Sequence, residues 1–235
     1  MKYQFILLDA DNTLLDFDKC EKVAFGATME ELGIPFSPIL YETYSKINHT
    51  CWLELEQGKI SRKELQSLRF SRFFASFSFD FNAKKAGESY IAHLSRQGHV
   101  LPGALEFLQS LHTKAKIYIV TNGIARVQHS RLQNHPILPY LQDIFISEEL
   151  GASKPDPLFF ERVAEKIPQF DPKKAIVIGD SLSSDILGAN NAGIACIWYN
   201  PANQTNPNPN LRIDYIVSGY DEILHILEQG DINED

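Results

Sequence analysis

Three cysteines in 235 residues, Cys20, Cys51 and Cys196, are too few and too scattered for a disulfide framework, and none falls in a paired metal-ligand spacing. That predicts a reduced chain with the cytoplasm as its address, each cysteine serving as a small buried apolar residue. No apolar stretch approaches the roughly 20 residues needed to cross a bilayer. The first apolar run is too short for a secretory signal and is cut by Asp9. Basic residues are outnumbered, with 22 Lys and Arg against 30 Asp and Glu, a net charge of −8. A field of that sign argues against nucleic-acid polymers and anionic membranes as partners. It leaves a small anionic substrate open, because a cation and a few donors reverse the field inside a cleft. Internal repeats are absent, and the Asn- and Pro-rich stretch from Asn200 to Asn210 reads as an exposed loop.

What is present is globular: 44% apolar and 22% charged residues, enough for one large domain or for a core with an inserted subdomain. Two textures alternate. From about Asp16 to Gly98 the apolar residues recur at helical spacing, as in Val23, Phe25, Met29 and Leu32, or Ile39, Tyr44, Ile47, Trp52 and Leu55, and no strand is evident. Gly33-Ile34-Pro35 and Gln57-Gly58 punctuate this block, and Ser61 with Glu64 has the form of a capping box. From Leu101 onward strands alternate with helices. The pattern predicts strands at Lys116–Val120, Ile144–Ser147, Ala175–Ile178, Ala195–Tyr199 and Tyr215–Val217, and helices near 104–112, 123–133, 157–166, 184–192 and 220–229. With Phe5–Leu8 as the first strand, the expectation is an α/β fold: a Rossmann-like, mostly parallel sheet formed by residues 1–15 and 99–235, with an all-helical insertion at 16–98. The acidic tail Gly230–Asp235 is expected to fray.

Strand ends of a parallel sheet meet at one edge, where open α/β folds place their ligands, so the residues that follow each apolar run carry the functional signal. After Phe5–Leu8 come Asp9 and Asp11, which alternate backbone geometry lets converge; two carboxylates so close call for a hard cation such as Mg²⁺. After Ile117–Val120 comes Thr121-Asn122-Gly123, and after Ile176–Ile178 comes Gly179-Asp180-Ser181, with Asp185 beyond. Lys154, in Ala152-Ser153-Lys154-Pro155-Asp156-Pro157, follows the Ile144–Ser147 strand. Each has a plainer role on its own: Asp11-Asn12, Thr121-Asn122, Ser183 or Asp185 as caps, Lys154 as a solvated charge. Jointly these plainer roles require several acidic or phosphate-friendly features to fall at strand ends by accident.

The combination resembles the haloacid dehalogenase-like superfamily, in its Mg²⁺-dependent aspartate-nucleophile phosphatase branch. Asp9-Ala10-Asp11-Asn12-Thr13, Thr121-Asn122-Gly123, Lys154-Pro155 and Gly179-Asp180-Ser181 through Asp185 match its four motifs in order, and the helical block sits where that superfamily carries its commonest (C1-type) cap. The resemblance implies that Asp9 is the nucleophile and Asp11 the general acid and base. It implies that Lys154 neutralises charge on the reacting groups, and that Thr121, Asn122, Gly123 and Lys154 cradle phosphate at a helix start. Mg²⁺ is then expected on Asp9, Asp180, Asp185 and the backbone carbonyl of Asp11. Halide displacement needs no acid, so Asp11 points to an oxygen leaving group, and hydrolysis or phosphoryl return to a sugar both fit. Substrate choice falls to the insertion and its entry: Asn12, where many relatives have glycine, Phe17, Trp52 and, as polar reach, Arg62, Arg69 and Arg72, although for these arginines solvated surface is the default expectation. Most of the aromatic set Phe70, Phe73, Phe74, Phe77, Phe79 and Phe81 is expected in the bundle core. With Ser147 to Asp156 included, the chain looks most like bacterial noncanonical pyrimidine 5′-nucleotidases, which implies nucleoside monophosphates such as UMP, dUMP and dTMP. Phosphoglycolate, sugar phosphates, acylneuraminate 9-phosphate, a phosphomutase and a non-catalytic phospho-ligand or partner-binding protein are the alternatives.

Overall fold

A computed structural model describes residues 1–229 and divides the chain into two compact units, residues 1–16 with 99 onward, and residues 17–98. The acidic tail from Gly230 lies outside the described residues.

The first unit is built on six strands: β1 (Phe5–Leu8), β2 (Lys116–Thr121), β3 (Asp143–Ile146), β4 (Ala175–Gly179), β5 (Ala195–Tyr199) and β6 (Tyr215–Val217). Their order is β3-β2-β1-β4-β5-β6, with every pairing parallel. The chain therefore grows outward from β1 in one direction, then restarts at β4 on the other side, and the crevice between β1 and its neighbours is a topological switch point. A period of two sorts the central strands onto opposite faces. Ile6, Leu8, Ile117, Ile119, Ile176 and Ile178 face one core cluster, closed by Phe107, Leu111, Ile223 and Leu227. Phe5, Leu7, Tyr118, Val120, Ala175 and Val177 face the other, closed by Phe159, Phe160, Val163 and Ala189. Burial on both faces explains why these strands read as continuous apolar runs.

The covering helices, numbered in chain order after the four of the second unit, are α5 (Ala104–Leu111), α6 (Ala125–Leu132), α7 (Ser147–Leu150), α8 (Pro157–Lys166), α9 (Leu187–Asn191) and α10 (Tyr220–Gln229). Most boundaries shift from the sequence pattern by a residue or two, and two differences bear on the site. β3 stops at Ile146, because Ser147 opens the short helix α7. The expected helix at 184–192 is instead a wide π-type turn, Leu182–Ile186, running into α9. Such turns recur at functional sites, where they re-aim one side chain.

The second unit is all-helical among the described residues: α1 (Phe17–Glu31), α2 (Pro38–Glu56), α3 (Arg62–Ser76) and α4 (Ala83–Leu94). Ser37, Ser61 and Asn82 cap α2, α3 and α4, and Ser61 with Glu64 closes the capping box in both directions. The interior is aromatic, with Phe25 stacked on Tyr44 at 4.6 Å and edge-on to Phe73 at 5.3 Å. Phe70, Phe73 and Phe74 are buried, whereas Phe77 and Phe79 are half-buried and Phe81 is exposed. One expectation is overturned. Arg69 is not a solvated surface charge but 1% exposed, with its guanidinium 4.4 Å above the Tyr90 ring and bonded to Asn48, which in turn donates to buried Glu21. All three cysteines are buried and none forms a disulfide, and among the described residues no helix is long and apolar enough to cross a membrane.

Candidate active site

β1 is wholly buried, and the residue it delivers next is Asp9, whose N–H extends the sheet by donating to the Ile178 carbonyl at 2.9 Å. Asp9 is 7% exposed, and its carboxylate accepts from Lys154 Nζ at 2.8 Å. Lys154 is itself 1% exposed and spends its three ammonium protons on Asp9, on Asp185 Oδ1 at 2.6 Å and on the Val120 carbonyl at 2.7 Å. A lysine is tolerated at such depth only when its charge is matched and its donors are used. The backbone around it is held as firmly. Asn122 Nδ2 donates to the Lys154 carbonyl at 2.8 Å and Asn122 Oδ1 accepts from the Lys154 N–H at 3.0 Å, so the Asn122 side chain braces the Lys154 backbone.

The π-type turn carries Asp185 back toward β4. Its Oδ2 accepts from the Ser181 N–H at 3.1 Å, and a Cβ on Gly179 would lie 2.3 Å from the Asp185 carboxyl carbon, so only glycine at 179 admits it. Asp180 is half-buried and has its backbone carbonyl held by the Trp198 indole N–H at 2.9 Å. Asp9, Asp180 and Asp185 each offer an oxygen within 4.8 Å of the others.

Three carboxylates stand close together with one ammonium, bonded to two of them, to offset their charge. Burial, with Asp185 and Asp11 adding to it and Lys154 opposing, pushes the Asp9 carboxyl up to about 7. Burial and then the carboxylates of Asp9 and Asp185 push Asp180 well above the usual carboxylate range. For Lys154 burial works downward, but Asp185 and Asp9 outweigh it and hold the amine above its ordinary value. A small all-oxygen set with surplus negative charge suits a hard divalent cation.

Asp11 lies on the loop that leaves β1. Asn12 there has φ 57°, the left-handed region that asparagine tolerates better than most side chains, and this is why the position suits glycine or asparagine. The Asp11 carboxylate is held by two residues that sequence patterns did not single out, Gln128 and Arg131 of α6. Thr121, the last residue of β2, accepts at Oγ1 from the Gly123 N–H at 3.0 Å and from Gln128 Nε2 at 2.9 Å. Gly123 is required for that arrangement, since a Cβ there would fall 2.1 Å from Gln128 Nε2. The amino end of α6, expected to face phosphate, has its Ala125 N–H taken by Glu148 Oε2 at 2.9 Å. Phe17 and Trp52 belong to the helical unit and are half-buried there, as is Arg62, while Arg72 pairs with Glu54 at 2.8 Å.

A Rossmann-like parallel sheet with an aspartate-rich, lysine-bridged centre at its switch point defines a class of α/β hydrolytic enzyme. A model of the haloacid dehalogenase-like hydrolases matches residues 6–199, and the chain belongs to that family. It is 40% identical to the pyrimidine 5′-nucleotidase PynA of Streptococcus pneumoniae, over 98% of this chain and 97% of that one. It is 31% identical to the pyrimidine 5′-nucleotidase YjjG of Escherichia coli, over 97% and 98%. Among solved structures, the HAD-hydrolase YfnB of Bacillus subtilis, described as bound to magnesium and as revealing interdomain movement, matches with a TM-score of 0.92 at 33% identity, covering 97% of this chain and 100% of that chain.

Proposed function

We propose that this hydrolase is a Mg²⁺-dependent phosphomonoesterase that acts through an aspartyl-phosphate on Asp9, with pyrimidine nucleoside 5′-monophosphates as its preferred substrates and the helical unit, with Asn12, Phe17 and Trp52, as the cap that selects them. The observation that carries the chemistry is the Asp9 carboxylate bonded to a fully buried Lys154 beside Asp180 and Asp185. The preference for pyrimidine nucleotides rests on the near full-length similarity to PynA and YjjG.

Asp9, Asp180, Asp185 and the Asp11 backbone carbonyl would hold the metal. When bound, Mg²⁺ offsets the surplus negative charge and that of the substrate phosphate. Lys154 keeps one Asp9 oxygen engaged, so the other is the atom aimed at phosphorus. The Thr121 hydroxyl accepts two hydrogen bonds, and its own proton is what it offers a phosphate oxygen. Asp11 protonates the departing ester oxygen as the P–O bond breaks, then takes a proton from the water that attacks the phosphoenzyme. A carboxylic acid at that position serves an alkoxide leaving group and has no use in halide displacement.

Phosphate release from a panel of phosphomonoesters, with Mg²⁺ or with EDTA, for the wild type and Asp9→Asn, tests this reading. The expected result is Mg²⁺-dependent turnover, fastest on UMP, dUMP or dTMP and abolished in Asp9→Asn. The same dependence with phosphoglycolate or a hexose phosphate preferred would keep the mechanism and discard the nucleotide. Turnover that persists in Asp9→Asn would discard both.

A further inference from the structure

We propose that Gln128 and Arg131 are positioning residues for Asp11, a clamp that fixes its carboxyl group relative to the phosphate cradle. The proposal rests on the reading of Asp11 as the general acid given above.

The two Asp11 oxygens are held separately, Oδ1 by Arg131 Nη2 and Oδ2 by Gln128 Nε2 at 2.9 Å. Arg131 Nε donates to Gln128 Oε1 at 2.8 Å, which closes the three side chains into a ring. The same Gln128 nitrogen also reaches Thr121 Oγ1 at 2.9 Å, so one amide ties the acid to the hydroxyl expected on phosphate. Spacing of i, i+3 puts Gln128 and Arg131 on one face of α6. Both are buried, at 1% and 5% exposure. Gly123 has no space for a Cβ because Gln128 occupies it.

The clamp determines what Asp11 can do. With a donor on each oxygen the carboxyl group cannot rotate, and one lone pair per oxygen is left for chemistry. In the first half-reaction an Asp9 oxygen bonds to phosphorus, the ester P–O bond breaks, and the proton on Asp11 passes to the departing oxygen. In the second, water bonds to phosphorus, Asp11 takes its proton, and the Asp9–phosphorus bond breaks, which restores both groups. Proton delivery is efficient only when the donor is aligned with the breaking bond, and the Gln128 bridge to Thr121 sets that alignment.

The test is a ratio of kcat/KM values for two esters: 4-nitrophenyl phosphate, whose phenolate departs without a proton, and UMP or whichever alkyl phosphate the panel turns over fastest. This parameter covers steps only as far as departure of the leaving group. Asp11→Asn should lose the alkyl ester selectively, by about 100-fold or more relative to the aryl ester. Arg131→Met and Gln128→Leu should show the same selectivity at about tenfold or more, with Arg131→Lys intermediate. Equal losses on both esters in Arg131→Met and Gln128→Leu, with Asp11→Asn still selective, would overturn the clamp and leave the reading of Asp11 standing. An unselective Asp11→Asn would overturn that reading and the clamp together. Should Arg131→Met fail to fold, Gln128→Leu, which removes no charge, decides the matter alone.

Discussion

Both units of this chain bury charge, and they do so differently. In the helical unit, Glu21 and Arg69 are joined through a single asparagine. Asn48 Nδ2 donates to Glu21 Oε1 at 2.6 Å and Asn48 Oδ1 accepts from Arg69 Nη1 at 3.1 Å, with the aromatic ring of Tyr90 against the guanidinium. One negative group answers one positive group. In the α/β unit, three carboxylates offer oxygens within 4.8 Å of one another at the ends of β1 and β4, and two of them, Asp9 and Asp185, bond to one ammonium. Burial raises a carboxyl in each place, Glu21 in one and Asp9 in the other. At Glu21 one neighbouring carboxylate, Asp18, adds to the shift behind the opposing hydrogen bonds from Asn48, Ser45 and Tyr41, whereas at Asp9 two do, Asp185 and Asp11, both within the site. A balanced pair inside a bundle orders the fold; an unbalanced cluster at strand ends asks for a ligand.

The comparison breaks most visibly by removing the cation from each cluster. Lys154→Met should lower kcat about 10³-fold, the scale of losing a preorganised electrostatic group at the reacting centre. Arg69→Met should cost stability, about 3 kcal/mol for an uncompensated buried charge, and leave kcat of the folded fraction within about threefold. Denaturant melts beside steady-state assays separate the two, and equal losses of kcat would erase the distinction.

Metal removal sharpens it further. In EDTA the folded protein holds a proton on Asp9 up to about pH 7, whereas the unfolded chain releases it near 3.8. The folded state therefore binds more protons across that window, and this contribution to stability is complete at the acid end and is lost as pH rises toward 7. Asp180 acts in the same direction. Because Mg²⁺ competes with those protons, its stabilisation of the protein should be larger at about pH 8 than at about pH 5.5. Melting curves with and without Mg²⁺ at the two pH values measure it, and a larger effect at the acid end would contradict the assignment. The smallest expected effect lies far from the chemistry: Ser61→Ala, which opens the α3 capping box, should cost about 1 kcal/mol and leave kcat unchanged.

Much of the core was legible because its signals are local. β1, β5 and β6 match the apolar runs residue for residue, and Asp9, Lys154, Asp180 and Asp185 converge because parallel strand ends must. What was not legible depends on tertiary placement. Gln128 and Arg131 look like the polar face of a short helix until Asp11 is set against them. Arg69 carries no mark of burial in a sequence where arginines are exposed by default. The π-type turn at Leu182–Ile186 has the residues of an ordinary helix, and the reach of Asp185 to Lys154 and the Ser181 N–H accompanies its extra residue per turn. Asn122 was read as part of the phosphate cradle through its place at the strand end, and the bracing of the Lys154 backbone by its side chain had no signal in the sequence.

The most direct measurement is chemical trapping of the intermediate. Wild-type protein turning over its best ester in Mg²⁺ is quenched in acid and reduced with borohydride, which converts an aspartyl phosphate to homoserine, and the peptides are read by mass spectrometry. Homoserine at position 9, dependent on both substrate and Mg²⁺, is the predicted result. Sustained turnover with Asp9 never modified, or with the label on another carboxylate, would contradict the central role assigned to Asp9.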